Sequence, residues 1–167
     1  MRNIQVLLFC ILFLSCEKDP IPINLPPNTT SGENTFGCYI NGEIYIPEHR
    51  TVTLQYGPIE LDFPSYPDYV FGVFTNRVVH KTDKIEDADL SFVVKNINEE
   101  GTYRILFGNV IYNSKKFSVD SLCSGELVIT RFDSTEKIIS GTFNFVAKNE
   151  FDNEVVNVTN GRFDLKK

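Results

Sequence analysis

The chain has 167 residues, 42% hydrophobic and 23% charged, a balance ordinary for a soluble globular protein and enough length for one domain with a core. Its 16 Lys and Arg stand against 22 Asp and Glu, giving a formal charge of −6 with no basic stripe. Phosphate neutralisation needs clustered cations, so nucleic acid is excluded as the expected partner, and so is electrostatic docking on anionic lipid headgroups.

Arg2 precedes an apolar run from Val6 to Leu14. Crossing a bilayer takes about 20 residues, so the run is too short to span and has the length of a signal-peptide core. It ends at Ser15-Cys16. A small residue before a cysteine, behind an apolar run, resembles the lipobox of bacterial lipoproteins. The resemblance implies a signal peptide over residues 1–15 and a lipid on the Cys16 thiol, with Phe13 standing where that pattern prefers Leu. Cys10 is the poorer candidate because the bulky Phe9 precedes it. Each acyl chain contributes roughly 0.8 kcal/mol per buried methylene, so several chains make the membrane a permanent partner. Glu17-Lys18-Asp19 resembles the short export signal that sends some Bacteroidota lipoproteins to the cell surface. The expected address is therefore the outer membrane, lipid-anchored and facing outward, with the periplasmic face as the alternative.

Pro20, Pro22, Pro26 and Pro27 follow within eight positions. Proline removes a backbone donor and fixes φ, so the segment favours polyproline II over helix or central strand. Residues 16–34 are expected to comprise the lipidated cysteine and a disordered spacer that reaches up to about 55 Å.

From residue 35 onward the signals are those of strands. Thr35–Ile40 and Glu43–Pro47 flank Asn41-Gly42, the pattern of a two-residue type I′ hairpin. Tyr69–Val79 alternates Val70, Gly72 and Phe74 with Phe71, Val73 and Thr75. Further strands are expected at Leu90–Ile97, at Gly101–Phe107 with Tyr103, Ile105 and Phe107 on one face, and at Gly125–Phe132 with Leu127 and Ile129 together. Ile138–Lys148 puts Phe143, Phe145 and Ala147 together, and Val155–Thr159 and Arg162–Leu165 close the chain. Turns are expected at Asn98–Gly101, Asp133–Lys137 and Asn160-Gly161. Helical periodicity is missing after the signal. About eight to ten short antiparallel strands predict an all-β domain over residues 35–167, a β-sandwich or a small lipocalin-like barrel.

Phe36–Gly42, Gly101-Thr102-Tyr103, Ile139–Phe145 and Asn160–Asp164 together resemble a family of Bacteroidota lipoproteins that carries a domain of unknown function. The resemblance covers most of residues 35–167. It implies an anchored β-domain and lends no activity, because its motifs are turn and strand signatures.

Residues that carry chemistry are sparse. Cys38 and Cys123 are a candidate disulfide, which would close a loop of about 85 residues and add roughly 4 kcal/mol by loop entropy, or else two buried small side chains. His49 and His80 are the only histidines and lack the further ligands a zinc site needs. Asp83, Glu86, Asp87 and Asp89 read as an acidic turn whose spacing does not fit a calcium loop. Glu60 and Asp62 stand at strand spacing, on one face. Tyr56, Tyr66 and Tyr69 lie among Pro58, Pro64 and Pro67 and are candidate ligand contacts. Ser121 and Ser134 follow Asp in a pattern that resembles a short O-glycosylation acceptor. No metal, cofactor or catalytic signature emerges. The expectation is a non-enzymatic binding or adhesion module for a protein or glycan; the alternatives are a barrel that carries a small apolar ligand in a Phe-rich interior and, more remotely, a hydrolase.

Overall fold

The computed structural model describes residues 24–49, 57–81, 84–119 and 125–167. The expected signal peptide, Cys16 and residues 17–23 of the expected spacer lie outside them. Among the described residues there is no helix. The strands are β1 (Thr35–Ile40), β2 (Glu43–Tyr45), β3 (Glu48–His49), β4 (Ile59–Asp62), β5 (Phe71–Lys81), β6 (Lys84–Val94), β7 (Gly101–Arg104), β8 (Phe107–Tyr112), β9 (Lys115–Ser118), β10 (Gly125–Asp133), β11 (Ile138–Lys148) and β12 (Val155–Lys166).

One curled sheet, antiparallel except where the two-residue β3 lies beside β5, holds all of them. It runs β2-β1-β12-β11 and then divides. Most of β11 pairs with β10, which carries β7 on its far edge. At the other end of β11, Lys148 meets Ser118 of β9, and the second arm continues through β8 and β6 to β5, flanked by β4 and β3. The result is a half-barrel of the expected all-β class. Its ends, β2 and β3, are consecutive in the chain, with β3 paired to β5, and side chains reinforce the junction. The Tyr45 hydroxyl of β2 lies 3.0 Å from Thr75 Oγ1 on β5 and 3.2 Å from the Ala88 carbonyl on β6, while Thr75 donates to the Leu90 carbonyl at 2.8 Å.

The concave side is filled by phenylalanine. Phe143 has the rings of Phe92 at 4.9 Å, Phe36 at 5.1 Å, and Phe145 and Phe163 both at 6.3 Å; Phe71 joins Phe92 and Phe163 at 6.0 and 5.4 Å. These separations are those of favourable aromatic pairs. All six rings are buried. Cross-strand pairing of β11 with β12 explains how they fit: Gly141 faces Phe163, and Phe143 faces Gly161. Two Gly-x-Phe triplets thus pair head to tail, each ring meeting a position without a side chain. A Cβ at Gly161 would come within 2.5 Å of the Phe143 ring, and one at Gly141 within 3.0 Å of Phe163.

Several expectations need correction. The Asn160-Gly161 pair is a bulge inside one continuous β12, not a turn: Phe143 and Phe145 face Gly161 and Val158, and Gly37 and Tyr39 of β1 face Arg162 and Thr159, so β12 carries one extra residue against both neighbours. Asn160 takes φ 52° there, as a bulge residue does. The expected acidic turn is not one; Glu86, Asp87 and Asp89 belong to β6, which starts at Lys84 and pairs with β5 to its end. Asp83 lies outside the described residues. Phe107 does not share a face with Ile105, because the chain leaves β10 after Arg104 and joins β6 at Phe107, resetting its parity. The β8–β9 hairpin turns on Asn113-Ser114, both at positive φ, a type I′ geometry carried here without glycine.

The described part of the expected spacer, residues 24–34, lies against the sheet, where a free linker was expected. The Asp164 carboxylate is the reason. It accepts the backbone N–H groups of Ser31, Gly32 and Glu33 at 3.0, 2.8 and 3.2 Å and the Ser140 hydroxyl at 2.7 Å. The Arg162 guanidinium donates to the Pro26 carbonyl at 3.3 Å, and the Asn34 side chain accepts Lys166 N–H at 2.9 Å. Burial by itself would raise the carboxyl; the Ser140 hydroxyl and the backbone donors outweigh it and bring Asp164 down to about 2.

Two outcomes are expected. Gly161→Ala should lower unfolding free energy by about 2 kcal/mol in urea titrations, because the Phe143 ring has nowhere to move. Asp164 titrates lower in the folded chain than its unfolded value of about 3.9, so its contribution is complete above that value and disappears as pH falls towards 2. The native protein should lose about 2 kcal/mol across that window, and Asp164→Asn should be less stable at neutral pH while lacking this part of the acid dependence.

Candidate binding surface

Strand alternation gives the β4-β5-β6-β8-β9 arm two unlike faces. Phe71, Val73, Leu90, Phe92, Val110 and Phe117 point into the core. The residues between them form rows across the outer face. One row is Glu60, Phe74, Ser91, Asn109 and Ser118; beside it on one side run Asp62, Gly72, Val93 and Phe107, and on the other Asn76, Asp89, Ile111 and Lys116. Phe74 is 41% exposed and Phe107 63% exposed. Two large rings on the solvent side of a sheet have no packing role in the core beneath, and such exposed apolar groups rimmed by polar ones mark contact sites.

Gly72 sets the posture of the central ring. A Cβ there would lie 3.1 Å from Phe74 Cε2 and 3.3 Å from Asp62 Cβ, so the ring leans low across bare backbone. Beside it opens a hollow of about 440 Å³, bounded by Pro58, Glu60, Phe74, Asn76, Asp89, Ser91, Asn109 and Lys116. Ser118 donates its hydroxyl to Asn109 Oδ1 at 3.1 Å, and Asn109 borders the hollow.

The sequence-predicted residues fall around this surface unevenly. Glu60 lines the hollow and Asp62 borders Gly72, both exposed on one face of β4 as their spacing implied. Tyr66 and Tyr69 lie on the β4–β5 loop, edge to face at 6.4 Å, with Tyr66 83% exposed; they do not line the hollow. That loop is held by buried Phe63, which stacks on Phe132 at 5.6 Å, and by Tyr69 N–H donating to the Ser65 carbonyl at 2.9 Å. Tyr56 lies outside the described residues, as do Cys123 and Ser121. Cys38 is a free thiol buried in the core, and burial pushes it far above the ordinary thiol range, which disfavours a nucleophilic thiolate. His49 and His80 fall on β3 and β5, their side chains outside the described residues. Ser134 is exposed on the β10–β11 turn, where Asp133 Oδ1 caps the N–H groups of Thr135 and Glu136. Sequence reasoning passed over Phe74, Phe107, Ser91, Asn109 and Lys116. The signal available was Phe74 at the parity of Gly72, opposite the buried Phe71, Val73 and Thr75.

The concave side that a carrier would offer to an apolar ligand is occupied by the protein's own six rings. The outer hollow is the larger opportunity: it combines an aromatic surface with donors and acceptors and opens directly to solvent.

Residues 77–164, more than half of the chain, match the family described as "Domain of unknown function (DUF6252)". No curated protein and no solved structure matches.

Proposed function

We propose that this chain, which belongs to the DUF6252 family, is a non-catalytic binding module held at the outer membrane by a lipid on Cys16, with the outer face of β4-β5-β6-β8-β9 as its contact surface. The observation that carries the reading is Phe74, an exposed ring in the middle of a polar row on the solvent side of the sheet. A ring there lowers stability or solubility unless something covers it, and burying a Phe side chain against a partner is worth roughly 2 kcal/mol. The rest of the molecule supports the same reading. Its interior is spent on packing, Cys38 is inert, and the anchor would keep the domain close to whatever its face contacts.

Two measurements test this. Labelled native chain should bind envelope or host-surface material, and the double variant Phe74→Ser, Phe107→Ser should lose at least tenfold in affinity without a change in urea midpoint. Equal binding by the double variant would remove the face from consideration. Protease added to intact cells should digest the domain if the anchor faces outward; protection until lysis would place it on the periplasmic side and exclude capture of external material.

A further inference from the structure

We infer that the occupant of this outer face is a neutral glycan chain, stacked on Phe74 and held by the carboxylate, amide and hydroxyl groups in the rows beside it. The inference rests on the reading of this face as the contact surface and names its ligand class.

The posture of the ring comes first. Aromatic anchors in protein interfaces fill pockets on the partner. Phe74 instead leans across Gly72, where any side chain would lift it. A low ring offers its electron-rich face to a flat ligand with polarised C–H bonds, as on one side of a pyranose.

The chemistry around the ring follows. Glu60 brings a carboxylate, Asn109 an amide, Ser91 a hydroxyl and Lys116 an ammonium, all lining the same hollow. Carboxylates accept from neighbouring hydroxyls, and amides both donate and accept, which matches the alternating demands of a sugar's hydroxyl groups. Directly opposed cross-strand residues stand about 5 Å apart, so Glu60, Phe74, Ser91 and Asn109 are spaced on the scale of a sugar ring.

Shape and charge narrow the class. The polar row crosses five strands, on the order of 19 Å at the usual interstrand spacing, and the hollow is open. It suits a stretch of several sugars passing over the surface, not an enclosed monosaccharide. Glu60 and Asp62 outnumber Lys116 on this face, in a chain of net charge −6. Uronate, sulfate or phosphate groups would be repelled, whereas neutral sugars would not. A protein partner, by contrast, usually needs about 800 Å² per side with an apolar centre. On this face Val93 and Ile111 join the two rings as apolar residues, and they are separated by the polar row Glu60, Ser91, Asn109 and Ser118 instead of forming one apolar centre.

The test is affinity electrophoresis of the native chain in gels cast with mixed-linkage glucan, xylan, galactomannan or starch, with polygalacturonate as the anionic comparison. At least one neutral polysaccharide should retard the chain, and polygalacturonate should not. Phe74→Ala should abolish the retardation, Phe74→Tyr should retain it, and Asn109→Ala should weaken it several-fold. Matching urea midpoints show that each variant is folded. Absence of retardation by every neutral polysaccharide, or retardation that survives Phe74→Ala, overturns the glycan assignment. If the chain still binds envelope protein through Phe74 and Phe107 while ignoring all the polysaccharides, the ligand class falls and the contact face stands. If the variants alter neither kind of binding, both fall.

Discussion

The reciprocal glycine–phenylalanine pairing between β11 and β12 is the constraint on which the rest of the structure depends. Gly141 opposite Phe163 and Phe143 opposite Gly161 let two rings lie over backbone on the concave side. Phe143 then becomes the hub of six buried rings drawn from β1, β5, β6, β11 and β12. Rings of this size require the sheet to curl round them. The bulge at Asn160 supplies part of that curl, since an extra residue on one strand sharpens the local twist. The strands that pair on either side of β12 inherit the bend.

The curl has a second effect, at the ends of the sheet. At the ends of the sheet path, β2 pairs with β1 and the adjacent β3 pairs with β5, the Tyr45 hydroxyl adds a tie from β2 to β5 and β6, and residues 24–34 are tied to β12 by Asp164. Asp164 is a buried carboxylate that is satisfied by four donors, three of them consecutive or near-consecutive backbone amides. That geometry turns the end of a proline-rich segment into part of the domain. A chain arriving from upstream of Asn24 would therefore meet the folded unit first at Pro26, held by Arg162, and not at Thr35.

A core closed over its own rings leaves the outer face as the proposed contact surface. Two faces of one arm do different work: Phe71, Val73 and Phe92 stabilise the fold, while Phe74 and Phe107, one residue out of phase, face water. Gly72 joins the two roles, because it sits among core-strand residues and determines how Phe74 lies on the other side. The hollow beside that ring gathers its polar lining from strands that are distant in sequence and adjacent in the sheet.

What the sequence determined by itself is what local physics controls. Period-two alternation identified β5, β10, β11 and the class of the fold, and Asn41-Gly42 identified a hairpin because both residues tolerate positive φ. The same dipeptide at Asn160-Gly161 takes positive φ at Asn160 alone, and whether it would turn or bulge depended on β1 and β11 pairing on both sides of it. The extension of β6 back to Lys84 was hidden because four of the residues Lys84–Asp89 are charged and Ile85 and Ala88 do not alternate; only pairing with β5 reveals them as strand. Proline content argued against helix around Pro26 and Pro27, where none forms, yet composition cannot see a carboxylate about 130 residues away that captures the following turn. The candidate site was least legible of all. Glu60 and Asp62 were readable as one face of a strand, but Phe74, Ser91 and Asn109 become neighbours only through the register of three strands, and register is a long-range property that no local pattern contains.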